Sequence, residues 1–467
     1  MSEFHVPTVR RPGRSVLAVG GAIALLVAAC GGGASPTPAP ATVAPATLPA
    51  SIVPAGSPTP AATPAGYTGP AATIEYAIWG DPAEIKSQQA IVDAFTAVNP
   101  KITVKVTVSD WDAYWDKILT GITGGAAPDV FAMDGPLFPD YQSRGVLLDL
   151  KPYVDRDGYD LGQLADQAVA DFTTADGGQY GLPRDLSTIV LYYNKTMFDA
   201  AGLPHPDGTW DWNKLVEVGR KLTLDTNGDG KTDQWGLYTE TTDMENYWSS
   251  LVWQNGGDIV SADRTKTLLG TPEAAGGIQF LQDLIWKEKI MADPALFVET
   301  GDAFEQGKAA MESNGSWLVP THTAAAGDLG FEFGIAPLPK GPAGRFTSVN
   351  PTGAVVYKGT KSPDAAWEFV KYLASPAAQE QLMKLKASLP VSKEVLAGPY
   401  ATSFEGARVL ADSLAYAKLK PSFAGYNEFT TILQGELDAN VFLDPKKTAA
   451  QALADVVPQL DAILAGQ

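Results

Sequence analysis

From Thr73 onward the chain switches repeatedly between two hydrophobic periods, and that alternation restricts it to few folds. The run Thr73-Ile-Glu-Tyr-Ala-Ile-Trp79 reads as a strand. Ile91, Ala94, Phe95 and Val98 then recur at i, i+3, i+4 and i+7, one face of a helix. Ile102, Val104, Val106 and Val108 alternate with Thr103, Lys105 and Thr107, a strand pattern. Trp111, Tyr114, Trp115, Ile118 and Leu119 return to helical spacing, which places Trp111 in the core, with Ser109 or Asp110 as the N-cap. Pro128-Asp-Val-Phe-Ala-Met133 reads as a third strand. Strand, helix, strand, helix, strand implies an α/β fold, a parallel sheet covered by helices.

A second α/β region opens near Gly181 and runs to Lys195. Helices are expected at 211–223, 244–255, 272–288 and 301–308, and strands in GFEFGIAPLP up to 339 and TSVNPTGAVVY up to 357. The remainder reads as mostly helical. Ala366, Phe369, Val370 and Leu373 share one face, as do Leu453, Val456, Val457, Leu460 and Leu464.

The start of the chain has a different character. Arg10, Arg11 and Arg14 precede an apolar run, Val16 to Ala29, that is too short for a spanning helix of about 20 residues. A basic start, an apolar run and small residues form a secretory signal. Val27-Ala28-Ala29 before Cys30, the only cysteine, resembles the lipobox of bacterial lipoproteins. Residues 1–29 are therefore expected to be a signal peptide, with Cys30 acylated. Residues 31–70 contain no Asp, Glu, Lys or Arg and hold ten of the 35 prolines. Such a stretch has too little apolar side chain to offset its ordering entropy. Residues 30–70 read as a lipidated, semi-stiff tether holding a folded body off a membrane. One fatty chain anchors weakly, whereas several on one cysteine hold firmly.

Charge and length narrow the partners. The 467 residues carry 34 Lys and Arg against 53 Asp and Glu, a net charge of −19. Losing residues 1–29, with three arginines and one glutamate, takes it to −21. That excess argues against nucleic acid, which needs clustered basic residues. About 400 residues beyond the tether exceed what one core usually serves, so two lobes are expected. A lone cysteine forms no intramolecular disulfide.

Several segments resemble one family: the extracellular solute-binding proteins of ABC importers, in the carbohydrate-binding group that includes maltose-binding protein. They are the opening strand ending in Trp79-Gly80; GITGGAAPDVFAMD up to Asp134; YGLPRDLSTIVLYYNKTMFDAAGL; TWDWNKLVEVGRKL; FEQGKAAMESNGSWLV; and TGAVVYKGTKSPDAAWEFVKYLASPAAQEQLM followed by SLPVSKE. Their order and spacing from about 73 to 395 carry the resemblance. It implies a two-lobe periplasmic-binding-protein fold with a hinge and an interlobe cleft. Lobe 1 is expected at 71–183 and 340–375, and lobe 2 at 184–339 and 376–467. Crossings are expected near Gly181–Arg184, Pro339–Pro342 and Ala374–Pro376. The implied partners are a sugar or related polyol, transporter membrane subunits, and the membrane through the lipid anchor, with the protein acting as a monomer and not as an enzyme. The same framework serves binders of mono- and oligosaccharides, glycerol phosphate and polyols.

A sugar site needs carboxylates, amides and arginine for hydroxyls, and aromatic faces for stacking. Open α/β sheets place such groups beyond the carboxyl ends of strands. Trp79 closes the first strand and Asp134 the third, although a strand-end Trp is often core and Asp-Gly is a common turn. Asp81 and Asp110 serve equally as helix caps. Arg184 and Asp185 fall at the first expected crossing, as ligands or as a hinge ion pair. Asn314-Gly-Ser-Trp317 resembles the family segment that offers a stacking aromatic, so Trp317 is the leading single residue. Trp248 and Trp253 lie five apart on one expected helix, so they do not share a face; Trp253 is the one taken forward. Asn255, Asn350 and Tyr426 complete the candidates.

Asp225-Thr-Asn227-Gly-Asp229-Gly230-Lys-Thr-Asp233 places oxygen side chains at alternate positions with glycine at the sixth, the first half of an EF-hand loop. The twelfth position is Gly236 rather than Glu, and Asn-Gly and Asp-Gly also make plain turns. A structural Ca²⁺ on Asp225, Asn227, Asp229 and Asp233 and an ion-free turn are both open; no other cofactor is expected.

Enzyme motifs are weak. There is no G-x-S-x-G and no H-E-x-x-H, and Gly301 to Lys308 is one residue too long for a phosphate loop, with Ala309 in place of Ser or Thr. The rival readings are a secreted glycoside hydrolase, which needs two carboxylates about 5–9.5 Å apart, and a carbohydrate-binding surface sensor.

Overall fold

The computed structural model describes residues 67–80, 82–239, 245–296 and 301–466. The signal peptide, Cys30, nearly all of the tether and Asp81 lie outside the described residues. The body from Pro64 to Gln467 is one compact unit.

Among the described residues eight strands carry it: β1 (Ala72–Trp79), β2 (Ile102–Ser109), β3 (Val130–Asp134), β4 (Gly181–Asn194), β5 (Met311–Gly315), β6 (Phe333–Ala336), β7 (Thr347–Val356) and β8 (Ala417–Leu419). They run in the order β2-β1-β3-β7-β4-β5, with β6 also on β4 and β8 on β7. β1 is parallel to β2 and β3, as the opening alternation requires. β7 is antiparallel to β3 and β4.

Ile74, Tyr76 and Ile78 of β1 are wholly buried, facing α1 (Pro82–Val98) and its Ile91, Val92 and Phe95. Phe369 joins the two layers, meeting Phe95 at 5.0 Å and Tyr76 at 4.9 Å, both edge-on. Val98 is exposed because the helix ends there. In α2 (Trp111–Gly124) only Tyr114 and Ile118 of the apolar stripe are buried; Leu119 and Trp111 are exposed.

β4 serves two sheets. Gly181 to Thr188 pair with β7, and Ile189 to Asn194 pair with β5 and β6. The change of partner lies between Thr188 and Ile189, four residues beyond the expected first crossing. The chain returns between β6 and β7, over 337–346. The third boundary also differs from expectation. The helix Pro376–Leu385 packs on α1, Gln379 donates an amide hydrogen to the Arg184 carbonyl, and Lys393 pairs with Asp166 at 2.7 Å. Residues 376–397 therefore pack with lobe 1. Second-lobe contacts resume at Glu405, which pairs with Lys195, and at Gly406, which lies against Ile335 of β6. Helical periodicity shows that a segment has an apolar face, not which lobe covers it. The helix expected at 301–308 is a series of turns, in which Asp302 accepts from the Phe304 and Glu305 amides.

Where β7 meets the first lobe, a Cβ on Gly353 would lie 2.6 Å from the Phe172 ring. Gly353→Ala should cost about 1–3 kcal/mol as overpacking, read as a lower urea midpoint at constant slope.

Candidate functional site

The carboxyl ends of β1 and β3, the middle of β4 and β7, and the first turns of α1 and α2 open on one cavity of about 820 Å³. The opposite wall is built by the helix Glu245–Gln254, the 3₁₀ turn Ser316–Leu318 and the helix Tyr426–Leu437. Trp79, Asp134, Arg184, Asp185, Trp317, Asn350 and Tyr426 all line it. A parallel sheet brings strand ends far apart in sequence to one edge, which is why residues 79 and 134 meet.

One wall is aromatic. Trp79 meets Trp111 at 5.0 Å and Tyr114 at 5.1 Å, both edge-on, and Trp115 at 5.4 Å. Tyr114 fixes the group from below, its hydroxyl donating to the Ala132 carbonyl at 2.7 Å. Trp111 is 44 % exposed, so an apolar face is left open to the cavity mouth. The expectation of Trp111 as core fails because it is the first residue of α2, where the stripe has already turned past the sheet edge.

The polar centre lies at the irregularity of β4, where the register with β7 shifts between Pro183 and Asp185. Arg184 and Asp185 are both buried, with Nε and Oδ2 2.9 Å apart, and the guanidinium also donates to the Tyr76 hydroxyl at 2.7 Å. Arg184 stays charged: burial opposes the charge, but Tyr76 and Asp185 outweigh it. Burial pushes the Asp185 carboxyl up, and Arg184, Thr352 and Ser388 pull it part of the way back. The guanidinium carbon sits 5.9 Å from the Trp79 ring centre, linking this centre to the aromatic wall.

Trp317 stands opposite on a braced turn. A Cβ on Gly315 would fall 2.0 Å from the indole, so the ring lies directly over that glycine. The Gly315 amide donates to Asn314 Oδ1 at 2.7 Å, Asn314 Nδ2 donates to Glu312 at 2.8 Å, and Tyr192 donates to the Gly315 carbonyl at 2.8 Å. Behind them the buried His322 lies 2.9 Å from Glu312. Burial opposes the imidazolium, yet Glu312 and Glu305 raise His322 to about 10. The imidazole thus stays protonated at neutral pH beneath the turn.

Two candidates are not brought to the site. Trp253 is 2 % exposed and its indole N–H donates to Asp258 at 2.9 Å. Asn255 turns away to donate to the Glu273 carbonyl at 2.7 Å. Trp248, on another face of the same helix, lines the cavity instead and donates to Gln434 at 3.3 Å. Trp115, Gln88 and Lys420 also line it without having been singled out. For Trp115 the signal was present in the aromatic spacing of 111–115; for Lys420 there was none, because the chain brings it from beyond β8.

The loop 225–233 is closed by its own hydrogen bonds. Asp225 accepts from the amides of Gly228, Asp229 and Gly230, Asn227 from Asp229, Asp229 from Lys231, and Asp233 from Thr226. Gly228 and Gly230 take positive φ to allow this. Among the described residues no three His, Cys, Asp or Glu side chains converge as a metal site. A separate groove of about 610 Å³ is lined by Asp302, Glu305, Asp328 and Lys308 with no aromatic face, which ill suits a sugar.

The model of the bacterial extracellular solute-binding protein family matches residues 79–380. The chain belongs to this family. The match begins at Trp79, the last residue of β1, and takes in β2 to β7, so it spans most of the cavity walls. This solute-binding protein is 26 % identical over 387 residues to the maltotriose-binding protein of Pyrococcus abyssi, covering 80 % of this chain and 79 % of the relative. An ABC substrate-binding protein of Listeria monocytogenes, solved in complex with cycloalternan, superposes with a TM-score of 0.76 at 27 % identity, over 84 % of this chain and 98 % of that one. The GacH receptor of Streptomyces glaucescens, solved unliganded and with acarbose, gives 0.74 at 25 % identity over 84 % and 98 %. The solute-binding protein has their two-lobe fold, and its family and these neighbours are binding proteins. Among its described residues no helix is long and apolar enough to cross a membrane.

Because the Trp317 ring occupies the space over Gly315, Gly315→Ala should displace the indole. Near-ultraviolet circular dichroism should change while the far-ultraviolet signal holds; an unchanged aromatic spectrum would refute the contact.

Proposed function

We propose that this solute-binding protein captures a carbohydrate between its lobes, outside the cytoplasmic membrane, and delivers it to an ABC importer. The observation that carries this is the make-up of the cavity. Open aromatic faces at Trp79, Trp111 and Trp317 interleave with hydroxyl-binding groups at Asp134, Asn350 and Lys420. Stacking faces fit the C–H faces of a pyranose, and charged acceptors and donors fit its hydroxyls. The maltotriose-binding and cycloalternan-bound relatives support the same class of solute. An acylated Cys30 serves as anchor, the Pro-rich stretch 31–70 as a semi-stiff tether, the body as a monomer, and transporter subunits as the receiving partner. The solute closes the lobes because it binds the shut state better than the open one.

Calorimetry with maltotriose and a panel of mono- and oligosaccharides tests it. Trp317→Ala should weaken binding tenfold or more, since a stacking contact contributes about 0.5–1.5 kcal/mol beyond its buried area. Asp134→Asn should weaken it too, because an ionised acceptor makes the stronger bond. Wild-type affinity in Trp317→Ala removes the stacking role. A peptide or amino acid as the true ligand removes the carbohydrate reading altogether.

A calcium ion on Asp225, Asn227, Asp229 and Asp233 is a separate part of the reading, supported by the spacing of those oxygens. An ion that binds only the folded state raises stability by mass action. Melting should be higher in calcium than in chelator for wild type and equal for Asp229→Ala. Equal values in wild type leave the hydrogen-bonded turn as the whole explanation.

A further inference from the structure

Behind the cleft wall lies a carboxylate that solute capture, as described so far, does not use. Asp171 follows the short helix Asp166–Ala170. Its Oδ2 is buried and makes no hydrogen bond. That oxygen presses on the backbone where β3 ends: a Cβ on Gly135 would lie 1.8 Å from it, so only glycine leaves room. Gly135 directly follows Asp134, which lines the cleft. Two carboxylates therefore meet at the end of β3, Asp134 lining the cleft and Asp171 lying against Gly135. The charged groups that reach Asp171 are Asp134 from β3, Arg264 from the segment after Asp258, and Lys420 from the stretch after β8. Burial, and next the Asp134 charge, push the Asp171 carboxyl up to about 7, against the pull of Arg264 and Lys420. Neighbouring carboxylates in low dielectric resist joint ionisation.

We propose that Asp171 is a positioning residue that takes up a proton as solute fills the cleft, leaves Asp134 as the charged acceptor, and so ties capture to pH. This rests on the reading of the cleft as the capture site. A solute that excludes water strengthens the repulsion between the two carboxylates. The occupied protein then holds the proton more tightly than the empty one. By linkage, capture strengthens as pH falls through neutrality and weakens as pH rises. One proton passes from solvent to an Asp171 oxygen, and no other bond changes.

Calorimetry of the full chain with maltotriose, in two buffers of different ionisation enthalpy, tests this. Wild-type affinity should rise at least threefold between about pH 8 and about pH 6, with heats that differ between buffers because protons are taken up. Asp171→Asn should bind with a flat pH profile and buffer-independent heats, and Asp171→Ala should share that profile. A flat wild-type profile, or a slope retained by both variants, overturns the proposal.

Melting without solute separates this from the carbohydrate reading. A carboxyl whose folded pKa is raised loses stability as pH rises from its unfolded value, about 4, to its folded one. Wild type should therefore fall behind Asp171→Asn across about pH 4 to 7 and match it below that window. If no sugar of the panel gives heat, the carbohydrate reading fails, and this comparison still decides on Asp171: parallel melting profiles overturn its role, and a gap that opens with pH upholds the raised proton affinity on which that role rests.

Discussion

The fourteen residues of β4 are buried from end to end, and the architecture depends on how their hydrogen bonds are divided. A buried strand must pair its backbone groups on both edges, since an unpaired donor or acceptor away from water is costly. β4 satisfies this by giving its first half to β7 on one edge, with Leu389, Gln379 and Ser388 on the other, and its second half to β5 and β6. One strand thus belongs to both lobes. The register slip at Arg184 lies just before the change of partner, within the strand that joins them.

That position explains the buried ion pair. A bulge re-aims consecutive side chains, and here it turns both Arg184 and Asp185 toward the cavity. Two charges so deeply placed need partners. Each has the other, and Tyr76, Thr352 and Ser388 supply further hydrogen bonds. A buried pair of this kind is weak evidence of stability and better evidence of specificity. In this fold it holds a hydrogen-bonding centre at the middle of the cleft, within reach of both walls.

The aromatic groups are held with similar care. Trp79 is fixed by Trp111, Tyr114 and Trp115, and Trp317 by a glycine with no side chain to obstruct it. Beneath Trp317 the buried His322 lies against Glu312 without touching the cleft. Rings whose supports are locked lose little entropy on stacking, which is how a binding cleft gains affinity without added area.

Much of this was legible in the residues themselves. The alternation of periods from Thr73 to Met133 dictated a parallel sheet, and strand ends marked Trp79 and Asp134, because side-chain period follows directly from backbone geometry. The segment Asn314–Trp317 pointed to its aromatic only through its resemblance to the family's stacking segment. Long-range placement was not legible. Trp253 and Trp248 sit on one helix, and only packing against Asp258 and Gln434 settles which of them faces the cleft. The helices at 376–397 share the periodicity of any amphipathic helix, and only α1 and Asp166 show that they belong with lobe 1. Lys420 and Asp171 carried no local signal, because their surroundings come from other segments of the chain, Gly135 against Asp171 and Asp171 near Lys420. Sequence determined the period of each element and so which residues share a face, since that depends on neighbours along the chain. Tertiary structure alone decided which inward faces meet, since that depends on contacts the chain makes only when it closes on itself.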